Sequence, residues 1–209
     1  MTTAPEDPSS LAVRGAVGDA SWEQLQRFSR LLIERGEPRG VIGPREVPRL
    51  WSRHIVNSMA VNSFIPRGAR VADVGSGAGF PGIVVAVTRP DLHVVCIEAM
   101  ERRCAWLDDV VSELDLRNVD VVAARAEDVR DEFDVVTARA VAGLDTLARW
   151  TLPLVRRGGV LLALKGERAA EEVQGAGRVL RRLGAGSWEV HEVVSPLDGS
   201  VTRVVEVRR

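Results

Sequence analysis

Lysine is almost absent from this chain. Lys165 is the only one, so nearly all of the 28 basic residues are arginines. Arginine offers a planar fork that pairs with phosphate and stacks on bases, which suits a polyanionic partner. A GC-rich genome produces the same bias, and composition does not separate the two. The net charge of −1 excludes a broad basic field of the kind that announces nucleic-acid binding. Cysteine is scarce as well. Cys96 and Cys104 have no partner motif around them and read as reduced thiols rather than a disulfide or a metal site. The three histidines, His54, His93 and His191, are too far apart in sequence for zinc spacing. No apolar run reaches the roughly 18 residues of a membrane helix. The opening MTTAPEDPSS lacks the basic start and apolar middle of a signal peptide. The expectation is a cytoplasmic protein with no membrane span and no metal.

What is present is enough for one globular unit. The 209 residues divide into a flexible tail over 1–18, an N-terminal helical cap over 19–66 and a main domain over 67–209. The cap is too small for a core of its own, so cap and main domain are expected to share one. Residues 20–35 place Trp22, Leu25, Phe28, Leu31 and Leu32 on one helical face, with Ser21, Glu23 and Gln24 as a start signal. A second helix is expected from Arg49 to Phe64. From residue 70 short apolar strands alternate with helices, and two alternating strands close the chain around Leu197-Asp198-Gly199. Five continuous apolar strands predict a parallel sheet covered on both faces, with a final antiparallel hairpin at one edge. The fold class is α/β, Rossmann-like, with seven strands.

The most informative stretch is VADVGSGAGFPG, from Val71 to Gly82. Glycines after a first strand allow a tight turn and a close backbone approach to a ligand, and the next helix would aim its positive end there. A dinucleotide loop reads G-x-G-x-x-G. Counted from Gly75, that pattern needs a third glycine where this chain has Phe80. The spacing found is Asp73-x-Gly75-x-Gly77-x-Gly79, the pattern of class I S-adenosylmethionine methyltransferases. A carboxylate at Asp73 suits that cofactor, whose amine and sulfonium are cationic, and would help hold its methionine end through water or backbone contacts. Glu98 ends the second strand and can accept both ribose hydroxyls, in either cofactor class. After the third strand, Ala126, Glu127 and Asp128 form a polar turn where adenine would be read, or merely a solvated helix cap.

With these motifs in place the chain resembles the RsmG (glucose-inhibited division protein B) family. GSGAGFPG, RAEDV, TARAVAGL and LALKG occur in the family's order. Upstream, Arg53-His54-Ile55-Val56-Asn57-Ser58 is similar to its RHxxDS motif, with Asn57 in place of the usual aspartate. The resemblance covers about residues 20–170. It implies a cytosolic S-adenosyl-L-methionine-dependent methyltransferase acting on N7 of one guanine in 16S ribosomal RNA. A partly assembled small subunit is one form that target can take. It also implies that Gly75, Phe80, Ala126, Glu127 and Arg139 contact the cofactor or lie against it.

N7 of guanine has a lone pair and no proton, so methylation there needs alignment and no general base. Arg139, just past the fourth strand, would hold guanine O6, a phosphate or the cofactor carboxylate; the alternative is an ion pair at the sheet edge. Lys165 would contact the base or the RNA backbone, or be a plain strand-end charge. His54 is either a substrate contact or a satisfied structural histidine. Arg45, Arg49 and Arg53 recur every four residues as one basic stripe, although Pro48 can take Arg45 off it. With Arg102 and Arg103 they are candidates for gripping phosphates, or a solvated charged face. Two other classes stay open: a methyltransferase for a small molecule or protein, and an assembly factor that kept the loop without catalysis.

Overall fold

The computed structural model describes residues 8–139 and 141–209. Its strands are β1 (Arg70–Val74), β2 (His93–Glu98), β3 (Val119–Ala123), β4 (Phe133–Arg139), β5 (Val155–Lys165), β6 (Ser187–Val194) and β7 (Val201–Arg208). They form one sheet in the order β3-β2-β1-β4-β5-β7-β6. The first five are mutually parallel, and β7 runs antiparallel between β5 and β6. Successive side chains on a strand face opposite ways. Accordingly Val71 and Val135 enter one apolar layer while Ala72 and Val136 enter the other. Both faces need cover, which is why these strands carry apolar residues on both.

One face is covered by α4 (Gly82–Thr88) and α5 (Glu101–Glu113), the other by α6 (Leu144–Thr151) and α7 (Ala169–Arg182). The chain enters the sheet at β1, builds outward through β2 and β3, then crosses back to β4. The reversal falls between β1 and β4. In open α/β sheets the ends of the strands at such a reversal border the ligand crevice.

The cap packs on the α4–α5 side. Helices α1 (Pro8–Ala16), α2 (Asp19–Leu31) and the three-residue α3 (Asn57–Met59) supply it, with π-helical turns over Leu32–Gly36 and Leu50–Val56. Trp22, Leu25, Phe28 and Leu31 are buried, as their spacing predicts. Polar ties fasten the cap to the sheet's helices. Ser21 Oγ donates to Val87 O at 2.8 Å and Gln24 Nε2 to Leu114 O at 2.9 Å. Arg35 spans Asp109 and Glu113.

Three expectations need correction here. The tail over 1–18 is helical from Pro8, because Val13 reaches the core and is fully buried; residues 1–7 lie outside the described residues. Helix α2 begins at Asp19 rather than Ser21, whose hydroxyl is taken by Val87 O. The single helix expected over Arg49–Phe64 is a chain of short pieces. It starts as a 3-10 turn at Val47–Arg49, widens over Leu50–Val56 and ends in a second 3-10 turn at Asn62–Phe64.

The loop from β1 to α4 turns on a buried carboxylate. Asp73 is wholly buried. Its Oδ2 accepts from Gly82 N at 2.9 Å and its Oδ1 from Thr137 Oγ1 at 3.1 Å. A Cβ on Gly82 would stand 2.7 Å from Asp73 Oδ2 and 3.0 Å from Cys96 Sγ. Burial raises the Asp73 carboxyl to about 6, against the pull of Gly82 N–H and the nearby Arg139.

Two outcomes follow. Gly82→Ala should destabilise the fold by roughly 1–3 kcal/mol through overpacking, read as a lowered midpoint in urea unfolding. The native state binds the Asp73 proton more tightly than the unfolded chain, so stability should fall as pH rises from 3.8 to about 6. Relative to Asp73→Asn, the wild type should lose on the order of 3 kcal/mol across that window, two pKa units at about 1.4 kcal/mol each. A flat difference between the two proteins would contradict the assignment.

Candidate active site

At the carboxyl ends of β1 to β4 lies an open cavity of about 590 Å³, a size suited to a cofactor. The strand order lays out its walls. Ala124 to Glu127 follow β3, Glu98 ends β2, Gly75 to Ala78 follow β1, and Arg139 ends β4. Phe80 closes the inner wall, buried against the ring of Phe28 from the cap. Gly75 and Gly77 take φ of +72° and +55°, a region that penalises any Cβ, so the tight turn requires them.

Glu98 is nearly buried and doubly held. Its Oε2 accepts from Gly77 N and its Oε1 from Met100 N, each at 3.0 Å. Each carboxylate oxygen has two lone pairs, so two acceptor sites remain for the cavity. That donor set suits a vicinal diol such as a ribose. Arg103 Nη1 lies 3.8 Å from the same carboxylate, and its buried Nε has no hydrogen-bond partner.

The β4 side carries a different cluster. Arg139 Nη2 is 2.7 Å from His54 Nδ1, and His54 Nε2 is 2.8 Å from Glu46 Oε2. A guanidinium only donates, so Nδ1 must be the acceptor and Nε2 must carry the proton, which it gives to the carboxylate. Burial, then the Arg139 charge, lower the His54 pKa, so the ring is neutral at pH 7. Burial also brings Arg139 down to about 10, which leaves it charged at that pH. Both groups rest on Phe80. The Arg139 guanidinium carbon is 4.9 Å and the His54 ring 5.1 Å from the phenyl centroid.

The structure brings together Gly75, Gly77, Phe80, Glu98, Ala126, Glu127, Arg139 and His54 in this cavity. It places other expected residues elsewhere. Asp73 lies beneath the loop, and the first amide of α4 is spent on it rather than aimed at a ligand. Gly79 faces the cap, where a Cβ would stand 2.8 Å from Ile83 and 3.1 Å from Phe28. Lys165 is buried, its ammonium donating to Ala142 O at 2.5 Å and Glu172 Oε2 at 2.9 Å. Glu172 also accepts from Leu144 N, so Lys165 pins the segment before α6 instead of facing a base. Asn57 donates to Thr202 Oγ1, tying the cap to β7.

The basic candidates separate too. Arg103 belongs to the cavity, while Arg102 is exposed beside it. Arg49 and Arg53 approach Glu46 at 3.4 and 3.6 Å with their side chains about half exposed. Arg45 lies in the turn before that helical run and is not on one stripe with them. The sequence pattern gave no sign of the strap over Val41, Ile42, Gly43 and Glu46, or of Trp150, in the cavity wall. Trp150 is half-buried on α6, which packs against the Ala126–Asp128 turn. The strap carries only loop residues, and nothing in its pattern points to a ligand.

Comparison with known proteins agrees with this geometry. A family model described as GidB, rRNA small subunit methyltransferase G, matches residues 21–197. A Beutenbergia cavernae protein named ribosomal RNA small subunit methyltransferase G is 56% identical over 199 residues, which is 94% of this chain and 93% of that protein. One of the same name from Salinispora arenicola is 51% identical, covering 98% and 88%. Among solved structures, M. jannaschii TYW2 in complex with AdoMet superposes with a TM-score of 0.57 at 21% identity, over 75% of this chain and 76% of that one. A SAM-dependent methyltransferase from Aquifex aeolicus gives 0.56 at 20% identity, over 72% and 88%. These structural likenesses show the class I methyltransferase fold. The chain belongs to the rRNA small subunit methyltransferase G (GidB) family, and S-adenosyl-L-methionine is its cofactor.

Proposed function

We propose that this protein methylates N7 of a guanine in 16S ribosomal RNA by direct displacement, without a general base. When bound, S-adenosyl-L-methionine supplies an electrophilic methyl group on a sulfonium. Glu98 would hold the ribose hydroxyls, the turn from Ala124 to Glu127 the adenine, and the backbone of Gly75 to Ala78 the methionine end. Phe80 gives the reacting end of the cavity a flat, water-excluding wall.

The observation that carries this reading is the state of the Arg139–His54 pair. Both imidazole nitrogens of His54 are engaged, one by Arg139 and one by Glu46. The ring is therefore not poised to take a proton from a substrate. A nucleophile that brings its own lone pair fits such a site, and guanine N7 is one. Arg139 would hold guanine O6 or a neighbouring phosphate and leave N7 free. The base must stand out of its stack to reach Phe80, so a splayed nucleotide in folded RNA is the expected target. A partly assembled small-subunit particle would present one.

Exposed arginines at the cavity mouth would engage the RNA backbone. Arg45 stands beside the strap and Arg102 beside Arg103, with Arg49 and Arg53 on the outer side of Glu46. Their contribution is positioning rather than sequence readout. The near-neutral chain relies on this local group and on the shape of the target.

Two measurements test the reading. In calorimetry the wild type should bind S-adenosyl-L-methionine and not NAD. Glu98→Ala should weaken the former by roughly 10–100-fold, the loss of charge-assisted hydrogen bonds of about 1.5–3 kcal/mol. Binding of NAD alone would sink the cofactor reading. Mapping of N7-methylguanine in small-subunit RNA should show one site lost from cells without this gene and restored by the wild-type protein. An unchanged map would reject the substrate.

A further inference from the structure

The strap of the cap reaches into the cavity with one acidic side chain. Glu46 lies in the turn before the helical run that carries His54, and both line the cavity with Arg139. Glu46 reaches Arg139 only through His54, whose Nε2 lies 2.8 Å from its Oε2. We propose that Glu46 is a positioning residue for the methyl-transfer reaction: by accepting the His54 Nε2 proton it selects the tautomer whose Nδ1 holds the Arg139 guanidinium in place.

The chemistry is a matter of counting protons. A neutral imidazole has one N–H and one lone pair. If the N–H sits on Nδ1, it faces the Nη2 donor of Arg139 at 2.7 Å, donor against donor. If it sits on Nε2, it meets a carboxylate at 2.8 Å and leaves a lone pair for Arg139. The partner of one ring nitrogen therefore decides what the other can do. The His54 hydrogen bond is the main reason the Glu46 pKa is lowered, so its carboxylate is ionised at pH 7 and acts only as an acceptor.

The arrangement fixes Arg139 on three sides. His54 Nδ1 takes one N–H of Nη2, the Arg53 carbonyl lies 3.4 Å from Nη1, and Phe80 supports the guanidinium plane. Its remaining N–H groups are then directed by geometry rather than by free rotation. An arginine at the end of a strand otherwise has four rotatable bonds and no preferred direction. The cap thus contributes to the reaction centre by orientation. Glu46 also stands 3.4 and 3.6 Å from Arg49 and Arg53, so it anchors the exposed arginines on its outer side as well.

The inference rests on the methyltransferase reading, and its test separates the two. With only three histidines in the chain, imidazole nitrogen resonances can be assigned by single substitution. In the wild type, nitrogen-15 spectra at pH 7 should show His54 as the neutral Nε2–H tautomer. Glu46→Ala should give a mixture of tautomers and lower kcat by roughly 10–100-fold, the cost of a misaligned group. KM for S-adenosyl-L-methionine should change by less than about threefold, because Glu98 and the Ala124 to Glu127 turn are untouched. Glu46→Gln keeps an amide oxygen for the Nε2 proton and should retain the tautomer and most of kcat. Persistence of a single Nε2–H tautomer in Glu46→Ala would overturn the proposal. So would equal loss of kcat in Glu46→Gln and Glu46→Ala. If the wild type itself transferred no methyl group to small-subunit RNA, the methyltransferase reading would fail, and the spectra would still decide whether Glu46 sets the tautomer.

Discussion

The hydrogen bonds of Asp73 hold the rest of the site in place. One carboxylate oxygen receives the first amide of α4 and the other the hydroxyl of Thr137 on β4. These two bonds tie β1, the glycine turn and β4 into one unit at the reversal point of the sheet. Removing the side chain would leave a buried N–H unpaired, which costs more than the bond itself contributes. The arrangement also explains why Gly82 carries no side chain, since the carboxylate and Cys96 occupy that volume. The acid is buried because it must sit behind the loop, and its raised pKa is the cost of that position.

The charges around the cavity follow from this centre. Asp73 is close enough to favour the charged form of Arg139, while burial opposes it. Arg139 in turn suppresses protonation of His54, and Glu46 favours it. The result is an arginine that stays charged beside a histidine that stays neutral. A neutral imidazole can accept from a guanidinium, whereas an imidazolium would repel it. The order of charges from Glu46 through His54 to Arg139 and on to Asp73 therefore alternates in sign with a neutral bridge. Both ring nitrogens of His54 are engaged along that line.

Much of this was legible in the chain. The strand and helix pattern, the parallel sheet and the closing hairpin follow from period and turn residues. The glycine spacing and Glu98 pointed to the cavity, because backbone turns and strand ends are local features. What depended on long-range pairing was not legible. Lys165 read as a contact to the base or the RNA backbone, yet it pairs with Glu172, seven residues on. Asp73 read as a cofactor contact because its position in the motif says nothing about which way its carboxylate turns. Arg45, Arg49 and Arg53 share a spacing of four, but the helix begins between the first two. Helix α1 was hidden in a polar start, because among its described residues Val13 is the one buried apolar side chain.

The cap is where fold and function become inseparable. Its roughly 50 residues bury Trp22, Leu25, Phe28 and Leu32 in one apolar cluster shared with Ile83 of α4 and Trp106 of α5, so cap and sheet layer have a common core. Phe28 fills the space that Gly79 leaves open and supports Phe80 from behind. The same segment then delivers Val41, Ile42, Glu46 and His54 to the cavity. The packing that stabilises the cap is thus also the packing that sets the distance between His54 and Arg139. A shift of the cap by 1 Å would stretch a 2.7 Å contact beyond hydrogen-bonding range. A cavity that orients the Arg139 guanidinium requires the cap docked on α4, and the apolar surface of α2 is what docks it.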